Sequence, residues 1–181
     1  MTEKNIENRI IRDPGALGYA NAGKVRNVRV SPTTGRVDLM ILPQSGRTKL
    51  VLVEVKRAGA DDAASKVAGQ LIMYYVASLQ IGLRGLARIR RFASEHQPAA
   101  CSPSNTSLNM LAGGARSGEV AWRLLREGRK LVPKEIALFV ALDGAPPRQL
   151  VDTLRFLKKN HSLRIRRAIA DRRSIRVSLA V

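Results

Sequence analysis

The chain has 181 residues, 45% of them hydrophobic and 25% charged, with a mean hydropathy of −0.12, which excludes a disordered chain and makes one domain spanning 1–181 the expectation. A formal net charge of +18 and a pI near 11.4, with net positive charge in each third of the chain, point toward a polyanionic partner. The single cysteine, Cys101, excludes an intrachain disulfide, and the longest mostly apolar stretch, Leu71 to Leu83, is too short for a bilayer, so the expectation is a soluble cytoplasmic protein.

Thr2 to Arg12 reads as a first helix. Ile6, Ile10 and Ile11 form its apolar stripe, and Asp13-Pro14-Gly15 stops it. Glu3 and Glu7 stand four apart on one face of it. A loop from Gly15 to Gly23 leads to a strand from Lys24 to Val30. Ser31 to Gly35 then turns the chain into a second strand, Arg36 to Pro43, whose apolar run holds one carboxylate, Asp38. Gln44 to Thr48 is short and polar, as a hairpin loop requires. The third strand, Lys49 to Lys56, is apolar until its end, where Glu54 and Lys56 project to one side and Val55 to the other. The hairpin brings Asp38 near Glu54 with Lys56 one step beyond, the makings of a divalent-metal site with a basic neighbour.

Asp61 or Asp62 is expected to cap the next helix, in which Ala64, Val67, Ala68, Leu71, Tyr75 and Leu79 bury, while Lys66, Gln70 and Tyr74 form a neighbouring stripe bordering the candidate site. Residues 84–134 read as a basic insertion. Leu86 to Ala93 is a short amphipathic helix carrying Arg88, Arg90 and Arg91, and Pro98 to Gly118 is a loop. Glu119 to Lys130 is helical, with Val120, Leu124 and Leu125 inward and Arg123, Arg126 and Arg129 outward. This insertion is expected to grip nucleic-acid backbone, through Arg88, Arg90 and Arg91, or to join two chains in a homodimer. Glu135 to Asp143 is another buried strand. Pro147 to Asn160 is a helix with Leu150, Val151, Leu154, Phe156 and Leu157 apolar, and Leu163 to Ile169 and Ser174 to Val181 are two final strands joined through Asp171-Arg172-Arg173. The order predicts a mixed α/β fold, a central β-sheet flanked by helices.

Asp38, fifteen intervening residues and Glu54-Val55-Lys56 resemble the PD-(D/E)XK nuclease signature. Gln70 and Tyr74 resemble the Q-x-x-x-Y motif of its RecB-like branch, and Val37 stands where the name-giving proline would be. The resemblance covers roughly residues 3 to 80. It implies a restriction-endonuclease-like α-β-β-β-α-β core and a Mg2+-dependent deoxyribonuclease, endo- or exonucleolytic, in which Mn2+ substitutes. It further implies that Asp38, Glu54 and the backbone carbonyl of Val55 hold the ion, joined by a first-helix glutamate, for which Glu7 is the candidate. Lys56 would act on the attacking water or the pentavalent phosphate, and Gln70 and Tyr74 would position the site or the nucleic-acid backbone.

Such a set suits phosphodiester hydrolysis, which needs charge stabilisation at phosphate and an activated water. Two other readings stand beside it. Asp38, Glu54 and Lys56 could form a structural ion pair at a sheet end, or the chain could be a non-catalytic basic nucleic-acid-binding protein on a nuclease-like fold. Other chemistries find less support. His96 and His161 lie in polar, irregular contexts, Cys101 has no local activating partner, no Cys/His set suits zinc, and Gly113-Gly114 makes no P-loop.

Overall fold

The near-continuous apolar runs of Arg36–Pro43 and Leu50–Lys56 form two strands in which nearly every position is buried, because both faces of the sheet are covered. The computed structural model describes residues 1–31, 34–60, 66–95, 125–171 and 174–179. The first helix, α1 (Glu3–Arg12), starts at the Thr2 side chain, which accepts from the Asn5 N–H, and a 3-10 turn follows at Pro14–Leu17. Next come β1 (Ala22–Arg29), β2 (Arg36–Pro43), β3 (Leu50–Lys56), α2 (Lys66–Ser78) and α3 (Leu83–Glu95). A 3-10 turn at Pro133–Glu135 leads into β4 (Ile136–Leu142), followed by α4 (Arg148–His161), β5 (Ile165–Ala170) and β6 (Ile175–Leu179).

The six strands form one sheet in chain order. β1, β2 and β3 run antiparallel, β3, β4 and β5 run parallel, and β6 returns antiparallel to β5. The expected mixed α/β class with a central sheet is what forms, with four helices among the described residues. Side-chain parity divides the core in two. On one face Met40, Leu42, Leu50, Leu52, Leu138 and Val140 pack against α2, α3 and α4. On the other, Leu39, Ile41, Val53, Val55 and Phe139 pack against Ile6 and Ile10 of α1. None of the helices among the described residues is long and apolar enough to cross a membrane.

Parts of 84–134 belong to this core. Leu86, Ile89, Leu125 and Leu131 are buried with the α2 face. The segment is closed at its base, where the Gly82 N–H donates to the Leu125 carbonyl (2.6 Å), Leu83 to Arg129 (2.9 Å) and Leu131 to Ile81 (2.9 Å). Gly82 lies so close to Glu127 that a Cβ there would sit 1.8 Å from its carbonyl oxygen. The expected Glu119–Lys130 helix does not persist past Leu125, since Gly128 adopts φ +85°, a left-handed conformation that ends helices. Glu119 to Leu124, the Pro98–Gly118 loop, His96, Cys101, the caps Asp61 and Asp62, Ala64, the Arg172-Arg173 link and the last two residues lie outside the described residues.

Two faces differ from the periodic reading. In α2 the buried set is Val67, Ala68, Leu71, Tyr74 and Ser78, with Tyr75 and Leu79 only half-buried. In α4, Leu150, Leu154 and Leu157 turn inward at i, i+4, i+7, and Phe156 falls off that stripe and is 57% exposed.

Candidate active site

Asp38 occupies the point at which β2 lets go of both neighbours. The β2–β3 ladder closes at the Leu39–Val53 pair, and the β1–β2 ladder skips Asn27, directly opposite Asp38. Asn27 adopts φ +50°, a left-handed conformation that asparagine tolerates better than most residues. Freed from regular pairing, the Asp38 carboxylate takes over as acceptor, and the Val55 N–H donates to its Oδ2 at 2.7 Å. A strand residue aims its N–H and C=O to the same side. The Val55 carbonyl therefore faces the β2 side, as the Asp38 carboxylate does.

Glu54 and Lys56 share the α2 face of the sheet with Met40 and Leu52, as strand parity predicts. Glu54 is 1% exposed, and Lys56 Nζ lies 3.0 Å from its Oε1. Its second oxygen, Oε2, is buried with no protein hydrogen-bond partner. Burial, and then the charge of Asp38, push the Glu54 carboxyl up to about 7 against the pull of Lys56. Asp38 is also raised, by burial first, although the Val55 N–H and Lys56 favour its charge. Burial disfavours the Lys56 ammonium, but Glu54 outweighs it and holds the proton on. The site is thus short of positive charge: one ammonium faces a buried and a half-buried carboxylate, and one oxygen of the buried one is orphaned.

Tyr74 and Gln70 border this pair from α2. The Tyr74 hydroxyl donates to the Arg36 carbonyl at 2.8 Å, two residues before Asp38, so the helix pins the start of β2. Burial, then Glu54 and Asp38, push its phenol up to about 12, and Gln70 hydrogen-bonds it. Gln70 Oε1 is buried without a partner. Lys66, expected on the same stripe, is exposed.

The structure sets Glu7 apart. It belongs to α1, on the other face of the sheet, and pairs with Arg26 of β1 at 3.4 Å. Burial, then Asp38, raise its carboxyl, so it senses the site without joining a ligand group. Among the described residues no cluster of three or more His, Cys, Asp or Glu side chains is poised around one ion. Glu3, one turn earlier, is a residue that the sequence reading passed over. Its Oε1 accepts from the Arg57 N–H at 3.3 Å, just past Lys56, and its charge raises both Asp38 and Glu54. The available signal was the spacing of Glu3 and Glu7 on one helical face; the first-turn position of Glu3 also suits the helix dipole, which hid it.

Arg88, Arg90 and Arg91 are not gathered at this site. Arg88 pairs with Glu127 at 3.0 Å. Arg90 donates to the Pro43 carbonyl at 3.0 Å, at the far end of β2 from Asp38, roughly 16 Å along the strand. Arg91 is exposed on the same helix.

A hard divalent cation fits the donor set. Two carboxylates and a backbone carbonyl are oxygen ligands suited to Mg2+, which keeps several waters rather than demanding an all-protein cage. The orphaned Glu54 Oε2 is the observation that favours such an ion, because a buried carboxylate without a partner is costly. Compared with known proteins, the chain matches no family model, no curated protein and no solved structure.

Proposed function

We propose that the chain is a metal-dependent nuclease of PD-(D/E)XK type that hydrolyses phosphodiester bonds of nucleic acid, DNA being the substrate that the resemblance implies. The observation that carries this reading is the approach of Asp38, near the start of β2, to Glu54, near the end of β3, with Lys56 bonded to Glu54 Oε1 and Oε2 orphaned. The element order α-β-β-β-α ahead of β4 supports a restriction-endonuclease-like core. Asp38, Glu54 and the Val55 carbonyl would hold Mg2+ or Mn2+, and the ion would supply charge at the phosphate and acidify a bound water. Lys56, kept protonated by Glu54, presents an ammonium where negative charge develops on the phosphate. Tyr74 fixes the backbone that carries Asp38, acting through position rather than contact with substrate.

The alternative, a non-catalytic nucleic-acid-binding protein, draws on one observation: the Lys56 ammonium is already paired with Glu54 Oε1 within the protein. A metal-titrated cleavage assay on single-stranded, duplex and branched DNA, with RNA alongside, separates the two. The nuclease reading expects cleavage that appears with Mg2+ or Mn2+, vanishes with EDTA and is abolished by Asp38→Asn. Binding to these substrates with no metal-dependent cleavage of any of them would refute it.

A further inference from the structure

The outer face of α4 carries side chains that the core does not use. Arg148, Asp152, Arg155 and Lys159 recur at i, i+4, i+7, i+11, and Lys158 is exposed beside them. Asp152 lies 3.8 Å from Arg148 and 3.6 Å from Arg155, so the stripe carries one acid among four cations. Among these charges stands Phe156, 57% exposed, its ring 5.6 Å from that of His161 and tilted 58° to it. A lone exposed phenylalanine is ordinary on a protein surface. This one borders that stripe, one turn from both Asp152 and Lys159, and lies beside a second aromatic ring. Cations that track phosphates and a ring face that accepts a base are together the chemistry of single-strand recognition, since a duplex keeps its base faces covered.

The stripe also begins in the right place. Asp143, just past β4, accepts from the Ala58 N–H at 2.8 Å, so the loop into α4 lies against the turn that follows Lys56. Arg148 therefore starts at the Lys56 end of the sheet, and Lys159 lies roughly 16 Å further along the helix axis. From this geometry we infer that Arg155, Phe156 and Lys159 form a binding surface for single-stranded nucleic acid, with Phe156 as the stacking platform. The inference rests on the proposed function for the direction of the strand, which would run between this surface and the Asp38–Glu54 site.

The test is fluorescence anisotropy with labelled oligothymidine and with a duplex of equal length, in EDTA so that no strand is cut. Phe156→Ala is expected to weaken oligothymidine binding about 5- to 150-fold and to leave duplex binding unchanged within about twofold. Phe156→Trp should restore single-strand affinity. Replacing Arg155 and Lys159 together by alanine should shallow the log–log salt dependence on oligothymidine by about 1.4, near 0.7 per lost contact. Unchanged oligothymidine affinity in Phe156→Ala overturns the inference, and so does an equal loss on both substrates. Binding of Phe156 to anionic vesicles, with oligothymidine affinity intact, overturns it as well. Because no metal is present, the outcome is separable from the nuclease reading. Absent Mg2+-dependent cleavage would sink that reading and leave this surface standing, whereas normal cleavage with an indifferent Phe156→Ala would sink the surface alone.

Discussion

Lys56→Ala is expected to lower metal-dependent cleavage by about 10²-fold or more while nucleic-acid affinity changes little. The substitution removes an ammonium 3.0 Å from Glu54 Oε1 but neither carboxylate and not the Val55 carbonyl. Stranding a buried charge ordinarily destabilises a fold by about 3–5 kcal/mol. Glu54 has an escape, because burial and Asp38 already hold its carboxyl up at about 7, so near neutral pH it can take a proton instead. The melting temperature should therefore fall by less than a stranded carboxylate would impose. A purely structural ion pair predicts the opposite ordering, a large loss of stability with no cleavage to lose. Cleavage rate, affinity and melting temperature measured on one preparation distinguish these, and wild-type cleavage by Lys56→Ala would refute the catalytic role.

The second large effect is on stability as pH changes in the metal-free protein. The Glu54 carboxyl is held at about 7 in the fold against an ordinary 4.5, so the folded state keeps a proton that the unfolded chain has released. Its stability contribution is intact below pH 4.5 and is lost as pH rises through 7, a total of about 3 kcal/mol. Asp38 and Glu7 are shifted in the same direction and add to the slope. Asp143 and Glu135 are shifted downward and lose their contribution only as pH falls below the carboxylate range. Between pH 5.5 and 8 the melting temperature in EDTA should drop by roughly 4–8 °C, and Glu54→Gln should flatten that slope. Mg2+ should raise the melting temperature more at pH 8 than at pH 5.5, since it binds the carboxylate form. A melting temperature that rises over this interval would contradict the placement of Glu54.

Much of this site was legible because strand parity is a rigid rule. The spacing at Lys49–Lys56 put Glu54 and Lys56 on one face, and their ion pair at 3.0 Å agrees, whereas Asp38 sits outside the regular ladders. Helix faces were read less well wherever polar groups are buried. Tyr74 and Ser78 turn inward on α2 because each finds an acceptor, the Arg36 carbonyl for one and the Tyr74 carbonyl at 2.6 Å for the other. A count of apolar positions has no access to those partners. The interruption of β2 around Asp38 was also out of reach, because the left-handed Asn27 carries no distinctive local pattern. Gly128, by contrast, was a visible stop inside the segment read as helical to Lys130, and the charge periodicity there obscured it. Arg88 and Arg90 show the limit of composition, since an arginine in a basic run can be held by Glu127 or by the Pro43 carbonyl.

In the proposed function, Asp38 and Glu54 share one hard cation. The most direct measurement of that sharing is anomalous diffraction from crystals soaked in Mn2+. One peak is expected between the Asp38 carboxylate and Glu54 Oε2, within ligand distance of the Val55 carbonyl. The same peak should be absent from Asp38→Asn crystals. Mn2+ bound elsewhere, with Glu54 still closed on Lys56 and no peak beside Asp38, would contradict it.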